Sequence, residues 1–254
     1  MKAKSIYNLI VLAILISACS GNASPTEAVT SGNIIPLKDA KLNIEHNATD
    51  HDTGFQGFVD SEGWQNLTFT GPNGVVLTIN GQGSLGQLGL TELFFETVEP
   101  ANANVSIDEM LAMLPEGYYT IEGPAIEAGE NTGRTSGSAW LTHTIPAGPV
   151  LLSPAEGAVV SVNGGLLVSW SPVTTTIDGG PVTIISYQLI IEKNTSPHPH
   201  MIGKIGLSMY LPASVTSITI PAEFFEPGIA YNWEVLAIEE SGNQTLSSGT
   251  FSTQ

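Results

Sequence analysis

Leu166-Leu-Val-Ser-Trp170, Ile177-Asp-Gly-Gly-Pro-Val-Thr-Ile-Ile-Ser-Tyr187 and Phe225-Glu-Pro-Gly-Ile-Ala-Tyr231 are the stretches that decide the fold. Each alternates apolar and polar residues with the period of two that puts one face of a strand inward. The second continues as Gln188-Leu-Ile-Ile-Glu192, and the third runs on through Trp233, Val235 and Ala237. Thr216 to Pro221 supplies a further strand, and Asp178-Gly-Gly180 a turn. Upstream, Pro146-Ala-Gly-Pro149 interrupts pairing and marks a boundary.

Residues 147–254 resemble a fibronectin type III domain over nearly its whole length. The family places a tryptophan on its second strand, here Trp170. An Asp-Gly-Gly turn and a tyrosine follow on its third, here Tyr187. It then has a Leu-x-Pro-x-x-x-Tyr stretch entering the sixth strand, where Phe225 stands for the leucine. Tyr231 matches the tyrosine-corner position, whose hydroxyl bonds backbone in many Greek-key sandwiches. The resemblance implies an immunoglobulin-like β-sandwich acting as an interaction module or spacer, with Trp170 and Trp233 in its core. Thr195 to Tyr210, with His198-Pro-His200, is longer than the family's middle connection, and the integrin-binding Arg-Gly-Asp loop is missing.

Residues 38–146 show the same punctuation. Leu67-Thr-Phe-Thr70, Gly71-Pro-Asn-Gly74 and Val75 to Asn80 read as a hairpin. Leu93 to Val98, Tyr118 to Glu122 and Ser138 to Thr144 are further strand candidates. Ser106-Ile-Asp-Glu109 is a capping box, after which Ile107, Met110, Leu111 and Leu114 keep helical spacing until Pro115. The expected architecture is all-β: two sandwich-like domains, the first carrying a single short helix.

The chain's beginning is an address. Lys2 and Lys4 precede an apolar run from Ile6 to Ile16, too short for the roughly 20 residues that span a bilayer. Ile16-Ser17-Ala18-Cys19 then resembles the lipobox of bacterial lipoproteins. That resemblance implies a signal peptide over 1–18, diacylglycerol on the Cys19 sulfur, cleavage before Cys19 and acylation of the new amino group. Several acyl chains together anchor a protein stably. Cys19 is the sole cysteine, so no internal disulfide forms. Residues 19–37 are small and polar and read as a flexible tether. By family analogy, Ser20 after the cysteine points to the outer membrane in a cell with two membranes.

Charge narrows the partners. Against 24 acidic residues stand only seven basic ones, two of them in the leader, for a net −17. Nucleic-acid binding needs clustered cations to displace counterions, so it is excluded. A protein or glycan ligand fits better, and the oligomeric state is open. Gly81-Gln-Gly83-Ser-Leu-Gly86 matches a dinucleotide fingerprint, but no βαβ unit follows, and a β turn or bulge explains the glycines. Ser84 lacks the first glycine of a nucleophile elbow, and no paired carboxylates stand out. No catalytic residues are assigned and no enzyme is expected. Asp50 and Asp52, in Glu45-His-Asn-Ala-Thr-Asp-His-Asp-Thr-Gly54, form a Ca²⁺ candidate, without the third acid or later glutamate of an EF-hand. His46 and His51 offer an unspecific transition-metal alternative, as do His198 and His200. Of the remaining tryptophans, Trp140 is ambiguous and Trp64 has a loop-like setting that suits sugar stacking.

Overall fold

The computed structural model describes residues 33–127 and 130–254; the leader and Cys19 lie outside the described residues. Among the described residues, no helix is long and apolar enough to cross a membrane. The first part of the chain runs β1 (Ile34–Pro36), β2 (Asp39–Asn47), β3 (Asp52–Trp64), β4 (Asn66–Gly71), β5 (Gly74–Asn80), α1 (Gly83–Leu88), β6 (Leu90–Glu96), α2 (Ile107–Met113), β7 (Gly117–Glu127) and β8 (Glu130–Leu141). The second runs β9 (Leu151–Ser153), β10 (Ala158–Val160), β11 (Leu166–Trp170), β12 (Ile184–Lys193), β13 (Gly206–Pro212), β14 (Ser217–Ile220), β15 (Ala230–Glu239) and β16 (Gln244–Thr253). Among the described residues the protein is all-β, with two short α-helices and a 3₁₀ turn at Ala222–Phe224.

The second part is a β-sandwich of the fibronectin type III kind. β9, β11 and β14 form one antiparallel sheet, facing a second in which β13, β12, β15 and β16 lie side by side. The alternation that marked the strands does the packing. Val168, Trp170, Tyr187, Leu189, Trp233 and Val235 fill a common core, each at most 1% exposed. Burying side chains of this size contributes about 1.5–3 kcal/mol apiece. The Trp170 and Tyr187 rings meet edge-on at 5.5 Å, the arrangement their quadrupoles favour. The last five residues of the Thr195 to Tyr210 connection belong to β13, which pairs with β12 from Ser186↔Pro212 to Glu192↔Gly206.

In the first part, β2, β3 and β6 pair in sequence, as do β5, β4, β7, β8 and β1. The two sets join where Trp64 of β3 pairs with Ala125 of β7, and they curl around a second core containing Ile44, Val59, Leu67, Phe69, Ile121 and Leu141. The capping box at α2 is formed: Ser106 Oγ accepts from the Glu109 amide, and the Glu109 carboxylate accepts from the Ser106 amide at 2.9 Å. The helix is C-capped by Leu114 and buries Met110 against the sheet.

Three local readings change. Trp64 is fully buried in the core rather than set in a loop, because β3 runs on to include it. Ile34–Pro36, within the stretch read as tether, pairs in parallel with Arg134–Ser136 of β8. Gly83–Leu88 is a helix rather than a β turn, so the first part carries two short helices and not one. Its glycines permit a close approach: a Cβ on Gly86 would lie 2.3 Å from the Gly81 carbonyl oxygen, so this contact outweighs glycine's weak helix propensity.

The two cores are joined by shared sheet. β16 runs parallel to β2, pairing Gln244↔Glu45, Thr245↔His46 and Leu246↔Asn47. Asn243, 1% exposed, hooks the β15–β16 hairpin into the first part. Its Oδ1 accepts from the Ile44 amide at 2.8 Å. Its Nδ2 donates to the Thr142 and Thr144 carbonyls at 3.0 and 2.9 Å.

Candidate binding groove

The β2–β16 pairing extends one sheet face across both parts of the chain, from β6 to β13. Alternate residues share that face: Phe94 and Glu96 on β6, Gln56 on β3, Glu45 on β2, Gln244 and Leu246 on β16. Across β15 the cross-strand row continues from Leu246 through Leu236 and Gln188 to Tyr210. The curvature of this surface encloses a groove of about 620 Å³, open to solvent. Leu236 and Leu246 form a buried floor, 4% and 8% exposed, whereas Phe94 and Tyr210 stand out at 61% and 68%.

Carboxylates crowd one end. Glu45, Glu96 and Glu99 bring one oxygen each within 4.8 Å of one another, close enough to hold a divalent cation. Gly54 makes this possible: opposite Glu45 on β3 it has no side chain, and a Cβ there would lie 2.7 Å from Glu99 Cγ. The aliphatic stem of Glu99 takes that space. Its Oε1 is buried without a hydrogen-bond partner among the described residues. Burial, with Glu45, Glu96 and Asp52 nearby, pushes the Glu99 carboxyl up to about 7. Burial likewise raises Glu45, offset by the Gln244 side-chain hydrogen bond, and raises Glu234, with Glu192 adding to the effect. Glu96, Glu99 and Glu234 escaped sequence reasoning, and Glu45 entered it only as the first residue of the Glu45–Gly54 stretch. Their only signal was the period-two placement of Glu45 and Glu96, which becomes a cluster only once β2, β3 and β6 are in register.

The residues singled out from sequence sit elsewhere or have other work. Asp50 is exposed in the β2–β3 turn, where its Oδ2 accepts from Asn47 Nδ2 at 3.0 Å. Asp52 opens β3 with Oδ1 buried and unpartnered among the described residues, and burial raises its pKa, with Asp50 contributing. His46 is buried, its Nδ1 3.0 Å from the Asp52 carbonyl and 2.9 Å from Thr53 Oγ1. A carbonyl only accepts, so that nitrogen carries the proton and is occupied structurally. His198 and His200 are exposed, with ring centroids 5.5 Å apart. Tyr231 is fully buried, and its hydroxyl accepts from the Glu226 amide at 2.9 Å. Trp140 is 48% exposed and meets Tyr118 edge-on at 4.5 Å.

These features define an all-β protein with a fibronectin type III-like C-terminal sandwich and an acidic groove on its continuous sheet. Among solved structures it is similar to a two-domain fibronectin type III segment of chicken tenascin, at 14% identity over 84% of this chain and 97% of that one, with a TM-score of 0.29. It is also similar to the FN1–FN3 domains of chicken CNTN1, at 11% identity over 87% of this chain and 69% of that one, with a TM-score of 0.33. No family model and no curated protein matches the chain.

Proposed function

We propose that the chain is an exported lipoprotein of the cell envelope whose mature part is a non-enzymatic binding or spacing module. The observation that carries the binding reading is the continuous face across β2 and β16, which turns two cores into one surface that carries a groove. The anchoring reading rests on Lys2, Lys4 and the Ile16–Cys19 lipobox, with Cys19 as the acylated residue and the outer membrane as the destination where a cell has two. Expression with an alkyne-tagged palmitate tests it. The parent chain should carry the label and sediment with membranes, and Cys19→Ser should do neither. A labelled Cys19→Ser protein would sink the assignment.

A second reading is favoured by Trp140 and Tyr118, whose exposed edge-on pair offers an apolar platform to a sugar ring. In it the chain is an accessory protein for envelope polysaccharide, with residues 38–146 as the working part. Binding or turnover of cell-wall glycans that vanishes in Trp140→Ala would establish it. Turnover of any glycan would end the non-enzymatic reading. Ca²⁺ at Asp50 and Asp52 belongs with either, supported by the unpartnered Asp52 Oδ1. Melting should then rise in millimolar Ca²⁺ and fall back in Asp50→Ala, while an unchanged melting temperature in EDTA would dispose of it.

A further inference from the structure

We propose that the groove between Phe94 and Tyr210 seats an extended, lysine- or arginine-bearing segment of a partner protein, a claim that rests on the mature chain being a binding module. The groove's hydrogen-bonding inventory is one-sided. Three of its four lining amides, all but Asn43, spend donors on neighbouring side chains: Gln244 Nε2 on the Glu45 carboxylate and, at 3.1 Å, on Gln56 Oε1. Gln56 Nε2 likewise donates to Glu96 at 3.3 Å, and Gln188 Nε2 to Ser208 Oγ at 2.9 Å. Carbonyl and carboxylate oxygens are left facing the ligand. The lining cation, Lys41, is paired with Asp39 at 2.7 Å and sits over the Phe58 ring. A ligand that brings donors and positive charge therefore matches this lining.

Glu45 and Glu234 line the groove, with Glu96 and Glu99 at its end. Phosphates, acidic glycans and nucleic acid are repelled. A neutral glycan can donate its hydroxyls to these oxygens but brings no charge to offset the carboxylates. Lysine and arginine side chains match on both counts, because their aliphatic stems cover an apolar floor while their heads seek carboxylates. Leu236 and Leu246 give that floor, and Phe94 and Tyr210 give exposed ring faces for cation–π contact.

Calorimetry on the detergent-solubilised full chain tests this with pentaarginine, pentaglutamate and chitopentaose. Pentaarginine alone should bind, and Glu234→Gln with Tyr210→Ala should weaken it at least tenfold. Glu223→Gln removes the same single charge from an exposed position off the groove and should change affinity less than twofold. Should the first pair fail to fold, Glu96→Gln with Phe94→Ala at the opposite end reads the same loss. An equal loss in Glu223→Gln would reduce the effect to net charge and overturn the proposal, as would binding of chitopentaose in place of pentaarginine. Pentaarginine recovered cleaved would overturn the non-enzymatic reading alone, whereas intact and unbound peptide would overturn the groove assignment alone.

Discussion

Protonated, Glu99 adds no charge to the folded chain; ionised, it sets a further negative charge beside Glu45, Glu96 and Asp52 in a half-buried place. The unfolded chain releases that proton near 4.5 and the folded chain only near 7, so between those values the folded state binds more protons. Stability therefore falls as pH rises through that window. Glu45 and Glu234 act in the same direction, while His46, lowered by burial, acts against them as pH climbs toward 6.5. Comparing Glu99→Gln with the parent isolates the one group. In urea unfolding the variant should gain about 1–2 kcal/mol on the parent between pH 5 and pH 8, allowing for solvent screening. A constant difference across that range would show that Glu99 does not titrate there. None of this was legible in sequence. Glu45 and Glu99 meet only because Gly54 leaves room, and no local pattern announces a glycine kept bare for a side chain 45 residues on.

Elements were legible where their signals are local. The alternation of Leu166–Trp170 and the turn glycines of Gly71–Gly74 correspond to observed strand and hairpin boundaries, because side-chain period and turn chemistry act over a few residues. The reading of Ser138 to Thr144 did not fix the ends of β8, which starts at Glu130 and stops at Leu141. Residues 142–144 are drawn off by Asn243, a tertiary pull invisible to periodicity. The helix α2 is the clearest case of local determination. Seven residues are too few to be stable alone, so its reciprocal cap carries unusual weight. Ser106→Ala removes the oxygen that accepts the Glu109 amide and should cost about 1 kcal/mol. Ser106→Asp, which keeps an acceptor, should recover most of it. Thermal melts of the two variants check this, and equal losses would mean that the cap is not what holds the helix.

At the scale of the molecule, the join between the cores decides whether the protein behaves as two beads on a string or as one body. The strand pairing that makes the join links residues about 200 apart in sequence, which no motif encodes. Asn243 sits at its centre. Besides the amide contacts to Ile44, Thr142 and Thr144, its backbone N–H donates to Glu239 Oε1 at 3.1 Å, and Thr245 Oγ1 donates to the Pro146 carbonyl at 2.6 Å. Replacing Asn243 by alanine strands the Ile44 amide and two carbonyls in a buried place, each worth roughly 1–3 kcal/mol when unsatisfied. The total should fall at about 2–4 kcal/mol, since some of those groups relax toward water. Because the loss falls on the join and not on either core, its expected form is specific. The parent should melt in one calorimetric transition, and Asn243→Ala should split it in two while Trp170 and Trp64 report their cores melting at separate temperatures. Asn243→Asp keeps the acceptor for Ile44 but loses the donors and should split the transition less. A single transition in Asn243→Ala, merely shifted down, would show that the β2–β16 ladder alone couples the cores. The groove is built on the same join, so the variant that uncouples the cores should also lose whatever the groove binds, although Asn243 does not line it.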